Sequence, residues 1–159
     1  MTIASSHTIV IGVGNEYRGD DGAGIAVARL LLRRVPAEVR VIEESGEGTS
    51  LLDAWRGAPP VILVDAIQSG AAPGTIHCFD ASQYPVPSKV FPCSTHAFGV
   101  AEAIEMARAL HELPPHLTVY GIEGESFADV QRLSPTVQRA VAEVAKCIAG
   151  KIETASNFL

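Results

Sequence analysis

Near the amino terminus, residues 7–24 read HTIVIGVGNEYRGDDGAG, an apolar run that passes into a loop rich in glycine and aspartate. The run at 7–13 shows no alternation of apolar and polar residues, which is typical of a strand covered on both faces of a parallel sheet. Beyond Gly24, the residues Val27, Leu30 and Leu31 are spaced as on one face of a helix. This order of strand, loop and helix favours an α/β protein.

Four further apolar runs rich in branched residues predict strands, at residues 39–43, 60–65, 75–80 and 117–122. Helices are predicted at 49–56, from Phe98 to about Leu110, and after Ser134, where Ser134 is the cap and Pro135 the first helical residue. Only residues 66–74 separate the third run from the fourth, too few for a crossover helix, so we expect the fourth strand to run antiparallel to the third. The prediction is a three-layer α/β sandwich, with one five-stranded, mixed but mostly parallel sheet and helices on both faces.

The composition narrows the classes of function. A chain of 159 residues fits a single domain, predicted here as 1–153 with a flexible tail at 154–159. The formal net charge of −6 argues against nucleic acid and anionic membranes as partners. We expect a cytoplasmic protein, because there is no basic, apolar leader and the three cysteines are odd in number. Cys78 and Cys147 are interpreted as small core residues.

Three polar segments are expected at the carboxyl ends of the strands, where ligands bind in open α/β sheets. They carry Asp21 in the first loop, Asp65 as the last residue of the third strand, and His96 before the helix from Phe98. Two carboxylates and one imidazole, with positions left open, suit a divalent first-row metal that must also bind substrate or water. The sequence therefore predicts a cation site formed by these three residues, on the exposed edge of the sheet.

Other interpretations of the same residues were weighed. The first loop lacks the G-x-G-x-x-G fingerprint of dinucleotide binding, and its carboxylates would repel a diphosphate. Asp20 fits a helix cap, and Asn15 a bond to the loop's own backbone. Cys93 and His96 form a C-x-x-H pair without the second pair that a zinc site needs. Glu123, at the end of the fifth strand, is placed to orient His96.

The glycine loop resembles the amino-terminal signature of the hydrogenase maturation protease family, and other markers of that family follow in order over about residues 8–148. The matching motifs are GVGN at 12–15, GDDGAG at 19–24, VDA at 64–66, PG at 73–74, STH at 94–96, GIEG at 121–124 and LSP at 133–135. Where the family commonly has Asp-Gly-Gly after the second strand, this chain has Glu44, Ser45 and Gly46.

This resemblance implies a metal-dependent endopeptidase that removes a C-terminal peptide from the nickel-loaded large-subunit precursor of a [NiFe] hydrogenase. The family's metal-contacting positions fall on Asp21, Asp65 and His96, which are the expected catalytic residues. The nickel is expected to be that of the substrate, although another divalent metal would also fit. Asn15, Asp20, Glu44 and Glu123 are expected to contact the substrate or to support the metal ligands. The alternative is a chaperone that binds the precursor and senses its nickel without cutting.

Overall fold

The computed structural model describes residues 8–57, 60–87, 91 and 98–156. The strands are β1 (Ile9–Val13), β2 (Arg40–Glu44), β3 (Val61–Ile67), β4 (Ile76–Asp80) and β5 (Leu117–Glu123). The helices are α1 (Ala23–Leu31), α2 (Gly48–Trp55), α3 (Val100–Ala109) and α4 (Pro135–Ser156), and a 3₁₀ turn (Gly19–Gly22) precedes α1. No helix among the described residues is long and apolar enough to cross a membrane.

The five strands form one sheet in the order β2-β1-β3-β5-β4, in which only β4 runs against the others. The predicted mixed sheet and the reversed direction of the fourth strand are confirmed. However, β4 pairs with β5 at the sheet edge, and β5 lies between β4 and β3. β4 follows β3 in the chain, but the two strands do not pair, because β3 is already paired with β1 on one side and with β5 on the other.

Two apolar cores cover the two faces of the sheet. Because side chains alternate along a strand, Val10 joins the core beneath α1 and α4, whereas Ile9 and Ile11 join the core beneath α2 and α3. The same alternation in β3 puts Val64 with α1 and α4 and Leu63 with α2 and α3. The central strands are therefore buried on both faces, which explains their uninterrupted apolar sequence.

Two element boundaries differ from the sequence prediction. Strand β3 continues through Ile67, because its pairing with β5 extends from Asp65 opposite Gly121 to Ile67 opposite Glu123. Asp65 therefore lies inside the strand, two residues before its end. Helix α4 begins at Pro135 as predicted and continues through Ser156, so residues 154–156 are helical although the sequence placed them in a tail.

Candidate active site

The loop between β1 and α1 is folded tightly on itself, and glycine is required at two of its positions. Gly14 has a φ of 148°, and a Cβ there would lie 1.9 Å from the carbonyl oxygen of Asp21. A Cβ at Gly24 would lie 2.3 Å from the carbonyl oxygens of both Val13 and Val64. Any larger residue at Gly24 would push α1 away from β1 and β3. These contacts hold Asp21 under the strand ends, as the glycine pattern predicted.

Asp21 and Asp65 are two buried carboxylates that line the same cavity. The cavity has a volume of about 520 Å³ and lies at the carboxyl ends of β1, β2 and β3. Asp21 comes from the 3₁₀ turn and is 9% exposed, and Asp65 comes from β3 and is 8% exposed. The expectation that these residues lie on an exposed edge of the sheet is wrong, because both side chains are buried.

The two carboxyl groups influence each other's ionisation. Burial raises the pKa of Asp21, although the charge of Arg18 and the backbone N–H of Asn15 act to lower it. The pKa of Asp65 lies well above its ordinary value, first because the group is buried and second because the charge of Asp21 repels a second negative charge. A carboxylate pair in such a site favours either a shared proton or a bound cation.

The chemistry of this donor pair fits a divalent metal. Two buried carboxylates that line one cavity supply hard oxygen ligands of the kind that a divalent ion takes, and the ion would remove the repulsion between them. Among residues 8–57, 60–87, 91 and 98–156, no group of three His, Cys, Asp or Glu side chains is placed to hold a metal ion. His96, the third predicted ligand, and its neighbour Cys93 lie outside the described residues.

Glu44, like Asn15, is a further predicted residue that lines the cavity. It ends β2, and its backbone oxygen accepts a bond of 3.0 Å from the backbone N–H of Gly14. The pKa of Glu44 is raised, because the carboxyl is partly buried and the charge of Glu47 lies near. Asn15 also lines the cavity, and its side-chain oxygen accepts a bond of 3.0 Å from the backbone N–H of Tyr17, as the sequence predicted.

Asp20 points away from the cavity, although it is the sequence neighbour of Asp21. Its carboxylate accepts bonds from the backbone N–H groups of Glu125, Ser126 and Ser134 and from the Ser134 hydroxyl, at 2.6 to 2.9 Å. It is fully buried and does not cap α1, whose capping position is Gly22. Asp20 therefore fastens the site loop to the segment that leads into α4.

Glu123 also accepts hydrogen bonds through its carboxylate, from backbone N–H groups and a hydroxyl group. It is 2% exposed, and it accepts bonds from the N–H and hydroxyl of Ser69 and from the N–H of Gly70. His77 Nε2 approaches it to 3.7 Å, too far for a hydrogen bond. Glu123 stabilises the turn that follows β3. Whether it also orients His96 stays a prediction.

Arg29 is a residue of the site that the sequence analysis did not identify. Its guanidinium joins Glu16 of the loop, at 2.6 Å, to Glu43 of β2, at 2.7 Å, and all three side chains line the cavity. Helical spacing could have identified Arg29, because it lies one turn beyond Ile25, which also lines the cavity. Tyr17, 62% exposed, is a second lining residue that was missed.

The cysteine prediction is wrong for both described thiols. Cys78 and Cys147 are free and exposed. Cys78 lies on the edge strand β4, whose residues are all partly buried or exposed. Cys147 lies outside the stripe of buried residues on α4. Neither lines the cavity of Asp21 and Asp65.

Comparisons with known proteins agree with this geometry. Residues 25–151 match the family model described as hydrogenase maturation protease. The hydrogenase 2 maturation protease of Escherichia coli K12 is 30% identical over 138 residues, which cover 84% of this chain and 82% of the relative. A putative hydrogenase maturation protease of Methanocaldococcus jannaschii is 30% identical over 153 residues, covering 91% of this chain and 96% of the relative.

Among solved structures, the hydrogenase maturating endopeptidase HybD from E. coli superposes with a TM-score of 0.79 at 25% identity, covering 94% of this chain and 93% of that one. A [NiFe] hydrogenase maturation protease HycI from Thermococcus kodakarensis, at 22% identity, shares the fold with a TM-score of 0.71 over 93% of both chains. Because the family model covers residues 25–151, which include Asp65 and most of α4, this protein belongs to the hydrogenase maturation protease family.

Proposed function

We propose that this protein is a metal-dependent endopeptidase that removes a C-terminal peptide from the nickel-loaded large-subunit precursor of a [NiFe] hydrogenase. The observation that carries the proposal is the pair of buried carboxylates, Asp21 and Asp65, facing one cavity at the carboxyl end of the sheet. The relatives named as hydrogenase maturation proteases support the choice of substrate. The exposed thiols of Cys78 and Cys147 suit a reducing cytoplasm.

Asp21, Asp65 and His96 are the residues that would hold the metal. A divalent ion bound there polarises a peptide carbonyl or activates a water molecule, roles worth several kcal/mol. Asp21 and Asp65 reach the cavity from two different elements, the 3₁₀ turn and β3. Two carboxylates and one imidazole leave coordination positions open, so we assign the nickel to the substrate, whose own groups complete its coordination.

The remaining cavity residues are proposed to position the scissile peptide. Glu44 and Asn15 supply hydrogen-bonding groups beside the carboxylate pair, and we assign to them contacts with the substrate. Asp20 and Glu123 hold the two loops that border the sheet edge and keep the metal ligands in place. These hydrogen bonds hold Asp20 and Glu123 in place before the substrate arrives.

The test uses purified protease with nickel-loaded and nickel-free large-subunit precursor, and it measures product mass over time. The expected result is loss of one C-terminal peptide from the nickel-loaded precursor and no cleavage of the empty one. Equal cleavage of both precursors by chelator-treated protease contradicts the dependence on nickel. Tight binding of loaded precursor with no change in mass contradicts the endopeptidase and supports the nickel-sensing chaperone.

A further inference from the structure

The buried carboxylate pair shares its cavity with two positive side chains of the described residues, Arg18 and Arg29. The guanidinium of Arg29 contacts Glu16 at 2.6 Å and Glu43 at 2.7 Å. Its single positive charge is therefore offset by two carboxylates that lie outside the buried pair. Arg18 is half-buried and immediately precedes the 3₁₀ turn that carries Asp21.

The backbone holds Arg18 and Asp21 on the same side of this turn. The N–H of Asp21 donates to the carbonyl oxygen of Arg18 at 3.2 Å, and the N–H of Arg18 donates to the carbonyl oxygen of Asn15 at 3.1 Å. Side chains three residues apart in a 3₁₀ turn lie one above the other, and both of these line the cavity. Burial raises the pKa of Asp21, and the charge of Arg18 is the largest effect that opposes this rise. The guanidinium is thus close enough to stabilise the Asp21 carboxylate.

A positive side chain in this place acts in opposite directions on a carboxylate and on a cation. It stabilises the negative charge of Asp21, and it repels a divalent ion that approaches the same oxygen atoms. The repulsion is permanent, because the guanidinium of arginine stays charged over the whole pH range in which proteins are folded. Arg18 therefore weakens the attraction that Asp21 and Asp65 together exert on a cation.

We propose that Arg18 determines the selectivity of the site by acting through Asp21: it lowers the affinity of the carboxylate pair for free divalent cations. A cation that brings further ligands from the substrate binds in spite of the repulsion, whereas a free ion brings only water. This inference rests on the proposed function, in which the nickel arrives with the precursor. It gives the chain a means of rejecting the free ion without excluding the loaded substrate.

The affinity of the purified protease for free Ni²⁺ tests this role, measured by isothermal titration calorimetry without precursor. Arg18→Gln removes the charge and keeps a long polar side chain, whereas Arg18→Lys keeps the charge. Arg139→Gln is the matched control, because Arg139 is exposed on α4 and does not line the cavity. We expect Arg18→Gln to bind Ni²⁺ about tenfold more tightly than the wild type, and the other two variants to match the wild type.

Two further measurements separate an effect of charge from an effect of structure. The gain in affinity of Arg18→Gln should shrink between about 0.01 M and 1 M salt, where the Debye length falls from about 30 Å to about 3 Å. Adding Asp21→Asn to Arg18→Gln should abolish the tight binding, which places the ion at the carboxylate pair. A purely structural role of Arg18 predicts the opposite sign, because a damaged site binds the ion more weakly.

The outcomes for this inference differ from those for the proposed function. If Arg18→Gln binds Ni²⁺ no more tightly than the wild type, the inference is overturned, even where the wild type cuts the precursor. A gain that is independent of salt, or that survives Asp21→Asn, also overturns it. If Arg18→Gln binds more tightly and the wild type cuts no precursor, the role of Arg18 stands and the endopeptidase function fails. A raised KM for nickel-loaded precursor with unchanged Ni²⁺ affinity assigns Arg18 to a substrate contact and overturns the inference.

Discussion

The hydroxyl of Ser134 donates a hydrogen bond of 2.6 Å to the carboxylate of Asp20, across 114 positions of the chain. Ser134 immediately precedes α4, and Asp20 lies in the 3₁₀ turn that also carries Asp21. Two backbone bonds run beside it, from Gly19 to Val130 and from Asp20 to Ser126, each 2.8 Å long. The loop that supplies Asp21, a proposed metal ligand, is therefore fastened to the segment that leads into the last helix.

Replacing Asp20 by alanine should reduce stability strongly. The change leaves three partly buried backbone donors and a hydroxyl without their acceptor, and the cost is on the order of 3 kcal/mol in the free energy of unfolding. Urea denaturation followed by circular dichroism measures it. Asp53→Ala is the control, because its side chain is 67% exposed in a loose ion pair. A loss below about 1 kcal/mol for Asp20→Ala would show that the loop is held by other contacts.

The carboxylate of Asp20 should also make the stability of the fold depend on pH. Burial acts to raise the pKa of Asp20, but the bonds from Ser134, Ser126 and Glu125 lower it overall. The unfolded chain therefore takes up the proton first as the pH falls, so the stability from Asp20 is complete above pH ~5 and is lost below the ordinary aspartate pKa of ~3.9. The stability difference between the wild type and Asp20→Asn should shrink from pH 6 to pH 3. A constant difference over this range would contradict the lowered pKa.

Asp21→Asn, Asp65→Asn and His96→Ala should each abolish precursor processing and leave the fold intact. Each change removes one proposed metal ligand, and neither Asp21 nor Asp65 belongs to the two apolar cores. A cleavage assay and circular dichroism on each variant check both parts. Asp80→Asn is the matched control, because Asp80 lies at the end of β4 and does not line the cavity. Full processing by any of the three variants would remove that residue from the site.

Without metal, Asp65→Asn should be more stable than the wild type at neutral pH. The raised pKa of Asp65 means that its ionised form is disfavoured in the folded protein, so its stability contribution falls as the pH rises above the unfolded value of ~3.9. The amide carries no charge and removes this penalty. Thermal unfolding with chelator at pH 5 and pH 8 measures it. An equal or lower melting temperature at pH 8 would contradict the prediction.

Replacing Cys78, Cys93 and Cys147 together by alanine should leave processing unchanged. Cys78 and Cys147 are exposed and do not line the cavity, and alanine at an exposed site changes stability little. The cleavage rate and the melting temperature of the triple variant are compared with the wild type. A folded but inactive triple variant would instead indicate a role for the Cys93–His96 pair.

Much of the fold follows from local sequence, because the β1 loop, the buried central strands and the start of α4 at Pro135 are set by glycines, apolar runs and a proline. The partner of β4 does not follow, because strand pairing at a sheet edge depends on which neighbours remain free. The exposure of Cys147 could have been predicted from the sequence. The buried stripe of α4 lies outside position 147 and consists of Val141, Val144, Ala145 and Ile148.

The site was predictable only in part. Asp20 and Asp21 are adjacent acidic residues, and their opposite roles depend on donors in residues 125–134, more than a hundred positions away. The bridging role of Arg29 depends in the same way on Glu43 of β2. Long-range hydrogen bonds and ion pairs of this kind leave no local pattern.

The strand order β2-β1-β3-β5-β4 has a consequence for how the site arose. From β1 the chain leaves through α1 on one face toward β2, and it returns through α2 on the other face to β3. The connections that follow β1 and β3 thus diverge toward opposite edges, and a crevice opens between their carboxyl ends. Asp21 follows β1, and Asp65 lies two residues before the end of β3. The strand order creates this crevice, so the crevice would remain if both carboxylates were replaced. Other side chains at the same two positions could therefore form a binding site for a different ligand.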